Sequence, residues 1–200
     1  MSVSKPASFL VSLACALGTT CATASPLSDT INQDYDSYLG SLFKYFHANP
    51  ELSLVEHKTA ARMAKELTAA GFEVTSGVGG TGVVAILRNG VGPLISVRAD
   101  MDGLPVEEKS GLEYASKATQ EDPITGNVVP VMHACGHDVH ITSLVGTARR
   151  MAEMTDSWSG TLMLIVQPAE ERVLGAKAMM EDDLYKRCLL YTSPSPRDMW

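Results

Sequence analysis

Hydrophobic residues recur along this chain with two different periods. In four segments an apolar side chain returns every three or four residues, which is the spacing of an amphipathic helix. Asn49-Pro50 ends the first segment, and Gly71 is a C-terminal stop for the second. The pattern predicts helices over residues 29–47, 54–70, 139–154 and 174–184.

Short apolar runs between these segments predict strands over residues 72–75, 83–87, 94–97 and 161–166. Glycines between Gly77 and Gly82 indicate hairpin turns. The last run is almost wholly apolar, which is typical of a central strand that is covered on both faces. Strands that alternate with helices predict an α/β fold, in which helices sandwich a mixed, largely parallel sheet.

Both ends of the chain depart from this pattern. Lys5, the apolar run 9–18 and the small residues 22–24 predict a secretory signal peptide over residues 1–24, and hence a periplasmic or secreted protein. A buried N-terminal helix is the alternative. The stretch CLLYTSPSPRD begins at Cys188 and has no hydrophobic period. It resembles the in-frame translation of a transposase-type sequencing adapter, so residues 188–200 are predicted to be an added tail; a Ser/Pro-rich linker is the alternative.

Composition narrows the possible functions. The 200-residue chain has a formal net charge of −7, which argues against nucleic acid or an anionic membrane surface as a partner. Of its four cysteines, two lie in the predicted signal peptide and one in the predicted tail, so Cys135 alone remains. A single cysteine cannot form an internal disulfide. It is therefore a buried apolar residue, a nucleophile or a metal ligand.

Two stretches that follow predicted strands carry candidate chemistry, because loops at the carboxyl ends of strands build the sites of α/β proteins. The first, RADMDGLP, contains Asp100 and Asp102, and by itself it is more typical of a turn. The second, MHACGHDVH, places Cys135 two residues before His137. In an extended segment such side chains face the same way, so a thiolate and an imidazole could bind one Zn²⁺ or a related ion.

A third stretch, QPAEE, places Glu170 and Glu171 directly after the predicted central strand. Two adjacent carboxylates are costly there unless something positive meets them. One can bind a metal while the other faces water, which is the division of roles in metal-assisted hydrolysis. A solvated helix N-terminus is the alternative. The other histidines have structural, capping or supporting roles as their simplest interpretation: His47, His57, His133 and His140.

In this order and spacing, RADMDGLP, MHACGHD and QPAEE resemble the metal-dependent amidohydrolases that include hippurate hydrolase, N-acyl-amino-acid amidohydrolases and the auxin-conjugate hydrolases of plants. These enzymes belong to the aminoacylase/carboxypeptidase group of co-catalytic metallopeptidases. The resemblance covers residues 35–185 and includes HANPELS near its start. It implies that residues 25–187 are the N-terminal part of a zinc-peptidase-like catalytic domain, without the lid and dimerisation domain.

The resemblance also implies a site. The metal ligands are Cys135, His137 and Glu171. Glu170 is the general base, and Asp100 supports the site without binding the ion. The implied cofactors are divalent ions (Mn, Zn, Co or Ni), two per site. The implied substrate is a small N-acyl amino acid or a short peptide, with no role for nucleic acid, or for a membrane after signal cleavage.

Some features differ from the wider group. Arg98 stands where other branches have a histidine ligand, and a cysteine ligand at position 135 is characteristic of the branch with arginine there. Relatives carry further histidine ligands downstream and a lid domain that mediates dimers. We therefore expect a homodimer for the full-length protein and no activity from these residues alone. The open alternatives are a non-catalytic metal-binding domain of the same fold, a metallo-carboxypeptidase or dipeptidase, and an enzyme with Cys135 as nucleophile.

Overall fold

A four-stranded mixed sheet forms the centre of residues 27–187, the part of the chain that the computed structural model describes. The order of its strands is β1-β2-β6-β3, and β4 pairs with β5 in a separate hairpin. The predicted signal peptide and the predicted tail lie outside these residues. In chain order the strands are β1 (Glu73–Val78), β2 (Gly82–Asn89), β3 (Leu94–Asp100), β4 (Thr119–Glu121), β5 (Val128–Pro130) and β6 (Gly160–Gln167).

Helices cover both faces of the sheet. A π-helical segment, Tyr35–Leu39, joins the first two, so the first predicted helix is continuous but changes its hydrogen-bonding pattern midway. The fourth begins at His137, two residues earlier than predicted, and the last predicted helix is divided in two. In chain order the helices are α1 (Leu27–Asp34), α2 (Gly40–Ala48), α3 (His57–Ala69), α4 (His137–Glu153), α5 (Gly175–Glu181) and α6 (Leu184–Arg187).

Strand β6 is one of the two inner strands of the sheet, as its apolar sequence predicts. It pairs antiparallel with β2 and parallel with β3. The α/β class and the mixed sheet are confirmed. Only one of the three pairings is parallel, which is fewer than a largely parallel sheet requires. One of the two antiparallel pairings has a local reason: the glycine-rich turn joins β1 to β2 as a hairpin, and a hairpin is necessarily antiparallel.

Alternate residues of β2 and β6 enter two buried clusters. One cluster packs under α2, α3 and α4, and the other packs under α5 and α6. Burial on both faces is what the uninterrupted apolar run of β6 requires, and each fully buried Val, Leu or Ile contributes about 1.5–3 kcal/mol. The residues that β2 and β6 contribute to the first cluster are Val83, Ala85, Leu162, Leu164 and Val166, and those they contribute to the second are Val84, Ile86, Met163 and Ile165.

The pairing of these strands brings several loops to one edge of the sheet. Because β3 and β6 are parallel, their carboxyl ends coincide, with Asp100 opposite Gln167. Strand β2 begins at the same edge, since Val83 pairs with Val166. The loops after β3 and β6 and the turn before β2 therefore converge there. We call this region the site edge.

Candidate metal centre

Asp102, two residues beyond β3, forms hydrogen bonds with several segments that meet at the site edge. Its side chain is fully buried, and its two carboxylate oxygens accept hydrogen bonds from the backbone N–H groups of Glu170 and Glu171, each at 3.1 Å. The Ser53 hydroxyl donates to the same carboxylate at 2.5 Å. Burial raises the pKa of Asp102, but hydrogen bonds from His137, Ser53 and the two backbone amides outweigh it and lower the pKa below its usual range. Asp102 is therefore a carboxylate that holds the QPAEE turn.

His137 begins α4 and is also held by Asp102. Its Nδ1 donates to the Asp102 carbonyl oxygen at 2.8 Å, and Asp102 Oδ1 is 3.4 Å away. A carbonyl only accepts, so Nδ1 carries the proton and Nε2 is left to face the site. Burial lowers the pKa of His137, but the hydrogen bonds to Asp102 raise it to about 9. The imidazole is thus oriented as metal-binding histidines are, through its second nitrogen.

The two adjacent glutamates lie in a 3₁₀ turn directly after β6. His137 Nε2 is 3.7 Å from Glu170 Oε2 and 4.0 Å from Glu171 Oε1. The Glu170 side chain is 41% exposed, whereas that of Glu171 is 15% exposed. Glu170 is therefore open to solvent, and Glu171 is mostly buried.

The chemistry of this donor set fits a divalent cation. One atom each from His137, Glu170 and Glu171 lies within 4.8 Å of the others. Glu171 Oε1 is buried and has no hydrogen-bond partner among the described residues. A buried carboxylate oxygen without a partner is costly, and a cation bound between it and the imidazole would satisfy both.

Cys135 is not among the ligand atoms that lie within 4.8 Å of one another, and its local geometry differs from the one its spacing predicts. It lies in an exposed turn, Gly136 follows in a left-handed conformation with φ = 77°, and His137 is already helical. The extended geometry expected for residues 135–137 is therefore wrong, because Gly136 bends the chain into α4. The thiol instead meets Glu171, whose hydrogen bond and charge raise the pKa of Cys135. These acidic surroundings are the opposite of those that activate a cysteine nucleophile.

Asp100 ends β3 and has the environment of a supporting residue. Arg98 donates to its Oδ2 at 3.2 Å and to Gln167 at 2.9 Å, which links β3 to β6 at the site edge. Burial raises the pKa of Asp100, and Arg98 opposes that rise. Its Oδ1 has no hydrogen-bond partner in the described part of the chain. One of its carboxylate oxygens lies within 4.8 Å of a ring nitrogen of His137 and of one of His140.

The other histidines are separate from the two glutamates. His47 is bonded to Glu108 and Asp138, and His57 is exposed at the start of α3. His133 is buried, which lowers its pKa to about 4, and neither of its ring nitrogens has a hydrogen-bond partner within residues 27–187.

Sequence reasoning missed the function of Asp102 and did not identify Ser53. Asp102 was visible only as a polar residue at a strand end, and Ser53 carries no pattern of its own. Their partners are 68 and 49 residues away in sequence, so the contacts arise only in the folded chain. The motif RADMD could have identified Asp102, because it places two carboxylates, Asp100 and Asp102, at the end of one strand.

Comparison with known proteins assigns the family. Residues 96–196 match peptidase family M20/M25/M40, and the chain belongs to this family. Hippurate hydrolase of Campylobacter jejuni is 44% identical over 142 residues, which cover 70% of this chain and 34% of that protein. Thermostable carboxypeptidase 2 of Saccharolobus solfataricus is 42% identical over 153 residues, with 74% and 36% covered.

A solved structure shows the same fold. A Bacillus subtilis protein described as a dinuclear metal binding peptidase of the M20 family superposes with a TM-score of 0.67 at 33% identity, covering 77% of this chain and 41% of that one. The chain spans about a third of the length of the curated relatives that it matches. None of the helices within residues 27–187 combines the length and the apolar character that a membrane span needs.

Proposed function

We propose that the full-length protein hydrolyses the amide bond of N-acyl amino acids, with divalent cations held at the site edge. The observation that carries this proposal is that His137 Nε2 lies close to two carboxylates. Glu170 is open to solvent, and Glu171 has one buried oxygen, Oε1, with no hydrogen-bond partner within residues 27–187. His137, Glu171 and Cys135 would hold the cations. The donor set of nitrogen, oxygen and sulfur suits Zn²⁺, Mn²⁺, Co²⁺ or Ni²⁺.

The residues of this chain would divide the work as follows. When bound, the cations supply Lewis acidity, which polarises the amide carbonyl and acidifies water. Glu170, the more exposed carboxylate, takes the proton from the attacking water and delivers it to the leaving amine nitrogen. Asp102 fixes His137 and the turn that carries both glutamates. Asp100, held by Arg98, supports the same edge from β3.

The substrate class is supported by the relatives. Hippurate hydrolase, by its name, acts on an N-acyl amino acid, and the chain is 44% identical to it over the matched residues. A metallo-carboxypeptidase that acts on short peptides is the second candidate, because a carboxypeptidase is 42% identical. We further propose a site with two cations, as in the dinuclear Bacillus subtilis structure, a homodimeric full-length enzyme, and export directed by residues 1–24.

Metal binding by the full-length gene product tests the site, and its turnover tests the reaction. Equilibrium dialysis with Zn²⁺, Mn²⁺, Co²⁺ and Ni²⁺, followed by elemental analysis, is expected to show uptake that Glu171→Gln and Cys135→Ser reduce. Glu170→Gln should retain the metal. The full-length product, with metals restored, is then assayed on acyl amino acids and dipeptides. A metal-free protein with full activity, or uptake that is indifferent to Glu171 and Cys135, would contradict the proposal.

A further inference from the structure

Glu56, the residue before α3, is a buried carboxyl group that the proposed reaction does not use. Its exposed fraction is 0%, and burial raises its pKa. Its two oxygens nevertheless have specific partners. Thr81 Oγ1 donates to Oε2 at 2.6 Å, and the backbone N–H of Ala169 donates to Oε1 at 2.8 Å. Glu56 therefore joins the turn before β2 to the turn after β6, both of which lie at the site edge.

Ala169 is the residue that makes this contact important. It is fully buried and has φ = 46°, the left-handed region that non-glycine residues rarely adopt. Such a conformation costs about 1–3 kcal/mol and persists only when its surroundings enforce it. Ala169 directly precedes Glu170, so its backbone conformation sets the direction in which the two glutamates leave β6.

Two buried carboxylates hold three consecutive backbone amides at this point. Glu56 accepts the N–H of Ala169, and Asp102 accepts those of Glu170 and Glu171. Burying a carboxylate is costly unless hydrogen bonds compensate for the lost water. Here two buried carboxylates accept such bonds from one short turn, whose backbone N–H groups gain acceptors in return. On the other side of the turn, the Pro168 carbonyl lies so close to Gly175 that a Cβ there would sit 1.5 Å from the oxygen. The turn is therefore fixed from both sides.

We propose that Glu56 is a positioning residue, which together with Thr81 fixes the left-handed turn at Ala169 and so aims Glu170 and Glu171 at His137. The direction of the two glutamates matters for activity only if the proposed function is correct, so this part of the assignment rests on it. The contact between Glu56 and Ala169 can be tested separately. An apolar residue at position 56 would leave the buried Ala169 N–H without its acceptor. The turn would then be expected to relax and the two carboxylates to lose their common direction.

The experiment compares the full-length protein with variants at two matched positions. Glu56→Ala removes the contact. Glu56→Gln can conserve it, because the glutamine oxygen accepts from Ala169 and its amide can donate to Thr81 Oγ1. Glu66→Ala is the control: Glu66 is also buried, lies on α3, and has two partners, Tyr38 and Arg62, away from the site edge. The readouts are the hydrogen exchange rate of the Ala169 amide by NMR and the Zn²⁺ affinity by competition with a chromophoric chelator.

We expect Glu56→Ala to accelerate Ala169 exchange by more than the control does and to weaken Zn²⁺ binding about 10–100-fold, the usual effect of losing a residue that orients ligands. Glu56→Gln should restore both values, while Glu66→Ala lowers stability without altering Zn²⁺ affinity. Unchanged Ala169 exchange in Glu56→Ala, or an equal change in Glu66→Ala, would overturn the assignment. If Glu56→Ala does not fold, Thr81→Val serves instead and should accelerate exchange at Ala169.

The two proposals fail separately in this design. A wild-type full-length protein that binds no Zn²⁺ counts against the proposed function, while the Ala169 exchange rates still decide whether Glu56 holds the turn.

Discussion

Replacing His47 with glutamine is predicted to destabilise the protein in a way that depends on pH. His47 Nδ1 lies 2.7 Å from Asp138 Oδ2, and its Nε2 lies 3.0 Å from Glu108 Oε1. The histidine thus joins α2 to the first turn of α4 and to the loop that follows β3. Both carboxylates are almost fully removed from solvent, with side-chain exposures of 3% and 0%.

The size of the effect follows from what the carboxylates lose. Removing one partner of a buried ion pair costs about 3–5 kcal/mol, because it leaves an uncompensated charge. Here the carboxylates keep other donors: Ser110 and the Ser116 amide for Glu108, and the Val139 amide for Asp138. We therefore expect about 3 kcal/mol, the low end of that range, which corresponds to a fall in Tm of roughly 6–12 °C for a domain of this size.

The direction of the pH dependence follows from the pKa shifts. Burial lowers the pKa of His47, but the hydrogen bonds to Glu108 and Asp138 raise it above its ordinary value of 6.5. A raised histidine pKa contributes stability that is complete below pH 6.5 and declines as the pH rises through the folded-state pKa. Burial raises the pKa of Glu108, but hydrogen bonds from Ser110 and His47 lower it below 4.5, so its contribution is complete above pH 4.5. The His47→Gln destabilisation should therefore be largest between pH 4.5 and 6.5.

Urea unfolding of wild type and His47→Gln at pH 5.5, 7.5 and 9 measures this difference in the free energy of unfolding. His57→Gln is the control, since His57 is exposed at the start of α3 and should show little change at any pH. A His47→Gln difference that is constant with pH, or that grows as pH rises, would refute the charged-histidine argument. If His47→Gln lowered the free energy of unfolding by less than the His57→Gln control does, His47 would not contribute to stability as argued.

Three further predictions concern the site and the core. Asp102→Asn should weaken Zn²⁺ binding about 10–100-fold, because it disturbs both the His137 ring and the turn of the glutamates; chelator competition measures this, and wild-type affinity would contradict it. Glu170→Gln in the full-length enzyme should retain metal but lose about 10²–10⁴-fold in kcat, measured by amine release, and near-normal turnover would exclude Glu170 as the base. Leu164→Ala should lower the free energy of unfolding by about 2–5 kcal/mol in urea, with a loss under 1 kcal/mol inconsistent with a central β6.

The sequence predicted the elements well where one period dominated. The apolar run of β6 predicted a strand that is covered on both faces, and the structure confirms this prediction. The glycines before Gly82 predicted the hairpin correctly. The start of α4 was missed by two residues because His137 and Asp138 are polar and add nothing to a hydrophobic period, although they occupy the first helical turn.

The site was predictable in part. Motif order identified His137, Glu170 and Glu171, which the structure brings together. The supporting contacts could not be read from the sequence, because hydrogen bonds such as that from the Ala169 amide to Glu56 join residues 113 positions apart. Isolated residues like Glu56 carry no local pattern, and only the pairing of β2, β3 and β6 makes them neighbours.

The parallel pairing of β3 with β6 has a consequence for how the protein acquires its ions. The residues that would hold a cation come from loops that meet only after this distant pairing has formed, and long-range parallel pairing is a slow event in folding. In a partly folded chain without this pairing, the candidate ligands are therefore far apart and do not form a metal site. A cation would then bind only after the sheet has formed. By mass action, its binding would increase the folded fraction of the protein.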